Sequence, residues 1–367
     1  MLKDLMLYFH IPFCISKCAY CAFYSSPAWD SKLLERYTDA LTAQVAAFDN
    51  SEEYKIVSIY FGGGTPTILG AERLCRVLAA VKERFCIDSQ AEITLEANPK
   101  TVDETGLRAL KEEGFNRLSL GAQSFNDSTL RLLNRAHTAA DFEECFASAR
   151  RAGFDNISAD LIFALPNENI KMLENSVNKL ISLAPEHISV YGLSIEEGTP
   201  LYLRKKEYAF PTEEGEEAQY EMLCKLLGEA GYSHYEISNF ATVGKEARHN
   251  TGYWKRIPYF GFGAGAHSFF NERRFATPAS IADYIAKASG GLLAPTDYHS
   301  SKPVSAAEAE EERIMLGLRM KEGVKIDESR VPPIIIKQGL GVYQNGVLAL
   351  TERGFRVSNT LINMILS

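Results

Sequence analysis

The sequence predicts an α/β protein built around a parallel sheet. Short apolar runs with strand character recur along the first half of the chain, and segments with helical periodicity separate them. Strands that alternate with helices form βα units, in which the strands pair in parallel. Six such units make either an open barrel or a doubly wound sheet, and the pattern alone does not separate these two architectures.

The elements follow one another regularly up to about residue 193. The predicted strands occupy residues 5–10, 56–61, 93–97, 117–120, 157–163 and 187–193, and the predicted helices occupy residues 31–48, 71–85, 101–113, 140–152 and 170–183. Gly114 ends one helix where a left-handed cap is favourable. In both candidate architectures ligands gather at the carboxyl ends of the strands, so we expect the functional residues there.

The second half of the chain does not continue the regular alternation of strands and helices. A helix is predicted over residues 216–230, a Ser/Pro/Ala-rich linker over 300–307, and a strand over 346–351 followed by a turn at 353–354. We therefore divide the chain into an α/β core (1–235), a connecting segment (236–300) and a smaller α+β domain (301–367). The hairpin pattern of that last domain suggests a winged-helix-like module.

Composition and charge exclude several classes of function. The 367 residues are 46% apolar and 23% charged, and the net charge of −8 argues against a polyanion-binding surface. No apolar run approaches the roughly 20 residues that span a bilayer, and an acid close to the N-terminus argues against a signal peptide. We expect Cys75, Cys86, Cys145 and Cys224 to be buried thiols. Free thiols predict a cytoplasmic protein.

Three cysteines lie within eight residues, at Cys14, Cys18 and Cys21, in the spacing C-x-x-x-C-x-x-C. Thiolates hold iron–sulfur clusters, and three of them leave one iron of a [4Fe–4S] cube open to a small molecule. A structural zinc site would need a fourth Cys or His, and none follows in the next dozen residues. A zinc site with a distant ligand and chance core cysteines remain the alternatives.

The cysteine spacing, with the aromatic Tyr20 before the last cysteine, resembles that of the radical S-adenosylmethionine (SAM) superfamily. The stretch Tyr-Phe-His-Ile-Pro-Phe-Cys at residues 8–14 is similar to the group that contains oxygen-independent coproporphyrinogen III dehydrogenases and a related branch of heme chaperones. The resemblance implies a partial (β/α)6 barrel, a [4Fe–4S] cluster and bound SAM. It also implies that the C-terminal residues form the small domain of the same group.

A glycine-rich loop follows the second predicted strand. In Gly-Gly-Gly-Thr-Pro at residues 62–66, Gly63, Gly64 and Thr65 could approach a ligand closely and offer unpaired N–H groups. Any tight turn can also use such glycines. The resemblance implies that this loop binds the amino group and carboxylate of SAM.

Further SAM contacts are implied by residue-for-residue resemblance. They are Tyr8, Tyr20, Glu96, Gln123, Arg135 and Asp160. A carboxylate at Glu96 can accept hydrogen bonds from ribose hydroxyls, and Arg135 can grip a carboxylate with two parallel bonds. Asn134 stands before Arg135 where the family often has glycine. A solvated acid, a strand cap and aromatic core residues are the plainer interpretations.

Two sequence features favour the chaperone branch over the dehydrogenase. Phe23 stands where the dehydrogenase pattern has a fourth cysteine. Only 13 residues precede Cys14, whereas the dehydrogenase has a long N-terminal extension. The positive feature is H-N-x-x-Y-W, at residues 249–254, which matches the motif of the chaperone branch.

A histidine beside aromatic rings could bind heme iron and stack on a porphyrin. The heme candidates are therefore His249, Tyr253 and Trp254, with His267 as an alternative ligand. A hydrogen-bonded histidine in the core is the plainer interpretation. His187 and His234 lack a comparable context and are expected to be structural.

The resemblance implies a cytoplasmic heme chaperone that delivers heme to respiratory hemoproteins, some at the membrane surface, and that forms a homodimer dependent on its cluster. One alternative is radical oxidative decarboxylation of coproporphyrinogen III. Another is a radical SAM enzyme that acts on RNA, although no nucleic-acid partner is expected from the charge. Whether SAM is cleaved productively, and so whether the protein is an enzyme, is left open.

Overall fold

Six consecutive parallel strands form the centre of the computed structural model, which describes residues 2–288 and 299–367. They are β1 (Lys3–Ile11), β2 (Tyr54–Gly63), β3 (Cys86–Ala97), β4 (Arg117–Gln123), β5 (Ile157–Phe163) and β6 (His187–Gly192). Each strand pairs in parallel with the next one along the chain. All six predicted strands are confirmed, and β1, β2, β3 and β4 extend beyond their predicted bounds.

Helices connect the parallel strands and cover one face of the sheet. They are α1 (Ser31–Ala46), α2 (Ala71–Arg84), α3 (Glu104–Glu113), α4 (Asp127–Leu132), α5 (Ala139–Arg151) and α6 (Ile170–Ser182). The prediction that the third helix begins at residue 101 was wrong. Asp103 caps α3 by accepting a hydrogen bond from the backbone N–H of Gly106, so the helix begins at Glu104. Gly114 ends α3 in the left-handed conformation, as predicted.

The two faces of the parallel sheet differ in polarity because side chains alternate along each strand. One face is apolar and packs on the helices in the main core, with residues such as Leu5, Phe9, Ile59, Leu95, Leu118 and Ile188. The opposite face carries polar residues such as Tyr60, Glu96, Ser119, Asp160 and Ser189, which line a cavity. A doubly wound sheet would be apolar on both faces, so this pattern is that of a partial barrel with a polar interior.

Additional strands extend the sheet at both ends. The elements are α7 (Pro200–Leu203), α8 (Glu213–Glu229), β7 (Ser233–Glu236), β8 (Asn239–Ala241), α9 (Arg248–Trp254), β9 (Tyr259–Phe262), β10 (His267–Phe270), β11 (Arg273–Ala276), α10 (Ile281–Ala288) and β12 (His299–Pro303). The order across the sheet is β12-β11-β10-β9-β1-β2-β3-β4-β5-β6-β8-β7. The described part of the sheet is therefore open, with β12 and β7 at its edges.

Two features differ from the organisation predicted for the second half. The residues predicted as a linker at 300–307 contain most of β12, which pairs with β11, and the start of the next helix. The boundary predicted at residue 235 falls inside β7. The strands of the connecting segment thus continue the main sheet, because their backbone groups pair with the edge strands of the core.

A smaller α+β module follows at the C-terminus. It comprises α11 (Ala306–Gly317), β13 (Val324–Lys325), α12 (Pro333–Lys337), β14 (Gly341–Gln344), β15 (Val347–Leu350), α13 (Glu352–Arg356) and α14 (Ser358–Leu366). The strands form an antiparallel sheet in the order β13-β15-β14, over a separate apolar core. The turn predicted at 353–354 was wrong, because Thr351 caps α13 over these residues.

Backbone hydrogen bonds join this module to the barrel. The N–H of Ile237 donates to the carbonyl of Arg319, and the N–H of Lys321 donates to the carbonyl of Tyr235, both at 3.0 Å. All seven cysteines are free, and Cys145 and Cys224 are buried as expected, whereas Cys75 is only partly buried and Cys86 is exposed. Among the helices of the described residues, none has the length and apolar character that crossing a bilayer requires.

Candidate functional site

A cavity of about 690 Å³ lies at the carboxyl ends of the parallel strands. Residues from β2 to β6 and from the loop after β1 line it, so it lies at the edge where ligands were expected. Every predicted cluster ligand lines this cavity, and so does every predicted SAM contact except Tyr8. His249, Tyr253 and Trp254 are not among its lining residues.

The three clustered cysteines face the cavity from the loop that follows β1. Cys14, Cys18 and Cys21 are partly buried, and the N–H of Cys21 donates to the carbonyl of Cys18 at 3.2 Å. Burial raises the pKa of the Cys14 and Cys21 thiols. Within residues 2–288 and 299–367, no group of three or more His, Cys, Asp or Glu side chains is arranged to hold a metal ion. A four-iron cluster binds each thiolate to a different iron, so its ligands need not converge on one point.

Distant parts of the chain hold the cysteine loop in place. The side-chain amide of Asn134 donates to the carbonyl of Lys17 at 2.8 Å, and the N–H of Ala19 donates to the carbonyl of Leu133 at 2.9 Å. The indole of Trp29 donates to the carbonyl of Cys14 at 2.9 Å. Asn134, the departure from the family's glycine, has φ of 55°, and its side-chain amide supplies a contact that glycine could not make.

The glycine loop also lies against the cavity, but its N–H groups are already bonded. The N–H of Gly63 donates to Glu96 Oε2 at 3.2 Å, and those of Gly64 and Thr65 donate to the carbonyls of Ile11 and Phe13 at 2.9 and 2.7 Å. The expectation of unpaired N–H groups was therefore wrong. Glu96 and the backbone at and just after the end of β1 accept from these donors, so these three residues can offer a ligand only their surface and their carbonyl groups.

Glu96 lies at the end of β3 with both carboxylate oxygens engaged. Tyr60 Oη donates to Oε1 at 2.7 Å, and the N–H of Gly63 donates to Oε2. Burial raises the pKa of Glu96 to about 7, and the nearby Asp160 adds to the rise, whereas these two hydrogen bonds oppose it. Each oxygen keeps a second lone pair that a ligand hydroxyl could use.

Asp160 is the second buried acid of the cavity and lies within β5, not before the strand. Ser119 Oγ lies 3.3 Å from both of its oxygens. Burial raises the pKa of Asp160, while hydroxyl contacts and the guanidinium groups of Arg117 and Arg135 lower it.

Arg135 joins the cysteine loop to the sheet. Its guanidinium donates to Asn98 Oδ1, to the carbonyl of Gly121 at 3.1 Å and to Cys18 Sγ at 3.4 Å. Its Nε is buried and has no hydrogen-bond partner. Gln123 lies near it, after an irregularity in the pairing of β4 and β5, with φ of 64°. Such an irregularity turns the side chain relative to a regular strand.

The two predicted aromatic contacts occupy different places. Tyr20 lines the cavity and packs beside Leu133, Ile162 and Leu165. Tyr8 lies behind the wall, where its hydroxyl is 2.9 Å from His10 Nδ1. Tyr8 could therefore support a ligand only through the residues in front of it.

His249 lies in α9, beneath the cavity, and is 1% exposed. Its Nδ1 is 2.9 Å from Ser58 Oγ and its Nε2 is 2.9 Å from Tyr253 Oη. The ring also packs against Tyr60, with centroids 5.0 Å apart. Burial lowers the pKa of His249 to about 3, so the ring is neutral. In this arrangement neither nitrogen is available to iron, and coordination would require α9 to move out of the floor.

The other residues of the H-N-x-x-Y-W motif lie in two different environments. Asn250 lines the cavity, whereas Trp254 lies under the guanidinium of Arg319 from the C-terminal module, 5.6 Å from the ring. His267, the alternative ligand, is at the start of β10 and is the exposed one among the histidines whose side chains are described. His187 and His234 are buried, as expected of structural residues.

Comparison with known proteins agrees with this geometry. Residues 8–180 match the Radical SAM superfamily. Heme chaperone HemW of Bacillus subtilis (strain 168) is 38% identical, over 86% of this chain and 84% of that protein. Heme chaperone HemW of Lactococcus lactis subsp. lactis (strain IL1403) is 32% identical, over 98% of this chain and 96% of that protein. The chain belongs to the HemW family of radical SAM proteins.

The fold of this HemW family member has a close structural counterpart. The coproporphyrinogen III oxidase HemN from Escherichia coli, described as a radical SAM enzyme, superimposes with a TM-score of 0.85 at 20% identity. The match covers all of this chain and 91% of that one. At this identity the similarity establishes the fold, including the C-terminal module, and nothing about the reaction.

The cavity of this HemW family member is also lined by residues that were not predicted from the sequence to bind a ligand. Tyr60, Arg117, Ser119, Ser189 and Asn250 all line the cavity. The available signal was the polar residue at every second position of otherwise apolar strands, which marks one polar face. Asn250 lies within α9, and its signal was its place in the H-N-x-x-Y-W motif, of which only the histidine and the two aromatic residues were predicted to bind a ligand.

Proposed function

We propose that the protein binds heme and passes it to recipient hemoproteins. The supporting observation is the similarity to proteins named heme chaperone HemW along almost the whole chain, including the C-terminal module. The match is not confined to the superfamily core at residues 8–180. A function shared with these relatives therefore fits better than one shared only with radical SAM proteins in general.

In this proposal Cys14, Cys18 and Cys21 hold a [4Fe–4S] cluster. They are free, partly buried and line one cavity, and Arg135 already donates to the sulfur of Cys18. When bound, the cluster supplies one-electron chemistry toward SAM at its open iron. The chain's own contribution is to hold the thiolates, to balance their charge with a buried guanidinium and to limit the access of water.

SAM would occupy the part of the cavity next to this loop. Arg135 is placed to hold its carboxylate and Glu96 to accept hydrogen bonds from its ribose, while Gln123 and Asp160 offer further polar contacts. Gly63, Gly64 and Thr65 would contribute a close surface, and Tyr20 an apolar one. The orphaned Nε of Arg135 is consistent with a ligand acceptor at this point.

Phe23 argues for the chaperone and against decarboxylation of coproporphyrinogen III. It stands where the dehydrogenase pattern has a fourth cysteine, and its side chain is 69% exposed beside the cluster loop. An exposed aromatic ring can cover part of a flat apolar cargo, but it cannot act as a thiol.

For the heme iron we propose a histidine ligand, either His249 after movement of α9 or His267 without movement. Tyr253 and Trp254 would then stack on the ring in the first case only. We further propose a cytoplasmic protein, since all seven thiols are free, with respiratory hemoproteins as recipients, some reached at the membrane surface. A homodimer that depends on the cluster completes the proposal.

The test uses protein whose cluster has been reconstituted without oxygen. One equivalent of heme is added, free heme is removed by gel filtration, and the absorption spectrum is recorded for the wild type, His249→Ala and His267→Ala. The same preparation receives coproporphyrinogen III, SAM and a reductant, with protoporphyrinogen as the product sought. Cys14→Ala tests the cluster site, and Cys86→Ala, which changes an exposed cysteine outside the motif, is its control.

The chaperone proposal predicts retained heme without decarboxylated product. A Soret band that is lost or shifted in one histidine variant identifies the ligand. Iron and sulfide content should fall in Cys14→Ala but not in Cys86→Ala. Decarboxylated product without stable heme retention would contradict the proposal and favour the enzymatic alternative.

A further inference from the structure

The deep end of the cavity contains a charged side chain without a hydrogen bond. Arg117, the first residue of β4, is 2% exposed and lines the cavity. Its Nε is buried without a partner, and the nearest carboxylate oxygen, Glu92 Oε2, is 3.9 Å from it. In the described part of the chain the guanidinium makes no hydrogen bond. A buried guanidinium normally has its donors satisfied, so its surroundings are incomplete.

The acids around Arg117 are already bonded to other groups. Glu92 accepts hydrogen bonds from the N–H groups of Arg248 and His249, both at 3.1 Å. Glu96 accepts from Tyr60 and Gly63, and Asp160 from Ser119. These carboxylates therefore balance the charge of Arg117 at a distance but leave its donors free for a molecule in the cavity.

A second unpaired polar group reaches the cavity from α9. Asn250 lines it, and no hydrogen bond of its side-chain amide is present within the described residues. The N–H groups of Arg248 and His249 donate to Glu92, which fixes the first turn of α9 and so places Asn250 at the cavity wall. Arg117 and Asn250 thus bring donors from two separate elements to one enclosed space.

This deep group is separate from the position assigned to SAM. Arg117, Ser119 and Gly121 alternate along one face of β4, and Arg135 bonds to the carbonyl of Gly121. Four residues of a strand span about 13 Å. Arg117 and the carbonyl that Arg135 contacts are therefore attached at opposite ends of this part of β4, so each guanidinium belongs to its own stretch of the cavity wall.

We propose that Arg117 and Asn250 form a subsite for a carboxylate of the cargo, which for heme is a propionate group. The inference rests on the proposed function and adds the part of the cavity that recognises the cargo. A carboxylate offers the acceptors that the guanidinium fork and the amide lack. It also places the porphyrin beside α9, whose next residue toward the N-terminus is the candidate ligand His249.

The experiment compares heme with heme dimethyl ester, in which both propionates are blocked. Affinities are measured by absorption titration on the reconstituted full-length protein for the wild type, Arg117→Met, Arg117→Lys and Asn250→Ala. Arg76→Met removes an exposed, ion-paired arginine and serves as the matched control. Thermal unfolding and the affinity for SAM are recorded for each variant, so loss of fold or of SAM is recognised separately.

The subsite predicts that esterification weakens binding to the wild type about tenfold or more. Arg117→Met should weaken the binding of heme to a similar extent but leave the affinity for the ester unchanged, because the substitution and the esterification remove the same interaction. Arg117→Lys should be intermediate, and Asn250→Ala should show a smaller loss for heme only. Arg76→Met should behave as the wild type with both ligands.

Other outcomes overturn the inference in distinguishable ways. If the wild type binds heme and its ester equally, or if Arg117→Met weakens SAM but not heme, the subsite is wrong and the chaperone proposal stands. If the wild type retains no heme, both proposals fail. An Asn250→Ala variant that folds, binds SAM and shows no loss for heme removes Asn250 from the subsite.

Discussion

At the scale of single residues, hydrogen bonds inside the cavity partly offset the effect of burial on the pKa of Glu96. Glu96 lies away from water, which favours its protonated form, yet Tyr60 and Gly63 donate to its oxygens and favour the charged form. Burial is the larger effect, so the pKa rises to about 7. An acid tuned to this range changes charge near neutral pH, and the ligand that it binds would be sensitive to that change.

The first prediction concerns Glu96 and pH. The unfolded carboxyl loses its proton near pH 4.5 and the folded one near 7. Folding therefore favours the protonated form, and this residue's contribution to stability falls as pH rises from about 4.5 to 7 and is constant above that. Glu96→Gln should become more stable relative to the wild type across this range. The free energies of unfolding of both proteins are measured by urea titration without ligand at pH 5.0 and 7.5. An equal change with pH in the wild type and in the variant would contradict the prediction.

The second prediction concerns His249, whose two ring nitrogens bond within the floor of the cavity. Replacing it by alanine removes both hydrogen bonds and leaves a cavity beside Tyr60, so His249→Ala should lower the free energy of unfolding by about 2–4 kcal/mol. His267→Ala, at an exposed histidine, should change it by less than about 0.5 kcal/mol. Equal stability of the two variants in denaturant titrations would show that α9 does not hold His249 in the floor.

At the scale of elements, the loops after β1 and β2 support one another. The glycine loop donates N–H groups to the carbonyls of Ile11 and Phe13, and so fixes the backbone that leads into the cysteines. This contact requires a close approach: a Cβ on Gly63 would lie 2.6 Å from the ring of His10. The glycines therefore serve first to bring two loops together, and the ligand surface follows from that packing.

The third prediction compares two glycines with positive φ. Gly63, with φ of 110°, faces the ring of His10, whereas Gly70, with φ of 83°, has open space around its absent Cβ. Gly70→Ala should cost about 1 kcal/mol from backbone strain alone. Gly63→Ala should cost about 1–3 kcal/mol more because of the clash, and should lower cluster content after reconstitution. Equal unfolding midpoints and equal iron content would refute this explanation of the glycine loop.

At the scale of the whole molecule, one sheet carries both the cavity and its attachment to the C-terminal module. Strands β7 and β8 extend the sheet beyond β6, and β9 to β12 extend it beyond β1. The C-terminal module then bonds to β7 and to the residues just after it. Parts of the chain that are far apart in sequence thus enclose one cavity, and α9 closes it from below.

The fourth prediction follows from the net charge. At −8, with a sequence pI of about 5.5, the molecule should repel polyanions. We expect no retention of single-stranded RNA at 50 mM salt in an electrophoretic or fluorescence assay. A measurable affinity that falls steeply with salt would contradict this expectation and restore the RNA-modifying alternative. A basic RNA-binding domain in the same assay is the positive control.

Much of the architecture could be predicted from local patterns. Alternation of strands and helices predicted six βα units, and all six parallel strands are present. The cysteine spacing and the residues at strand ends predicted the cavity, because carboxyl ends of parallel strands meet at one edge. The strands that extend the sheet were not predicted. They are only three to five residues long, too short for a periodic signal to separate them from loops.

The sequence by itself determined the six parallel strands with their connecting helices, the positions of the thiols and the alternation of polar residues along each strand. These depend on neighbours within a few residues, where backbone periodicity and side-chain polarity act directly. Only the tertiary structure decided that Arg117 and Asn250 line one cavity and that His249 is buried with both nitrogens bonded. It also decided that the N–H groups of the glycine loop bond to Glu96 and to the backbone carbonyls of Ile11 and Phe13. Each of these depends on contacts between residues distant in the chain, which no local pattern encodes.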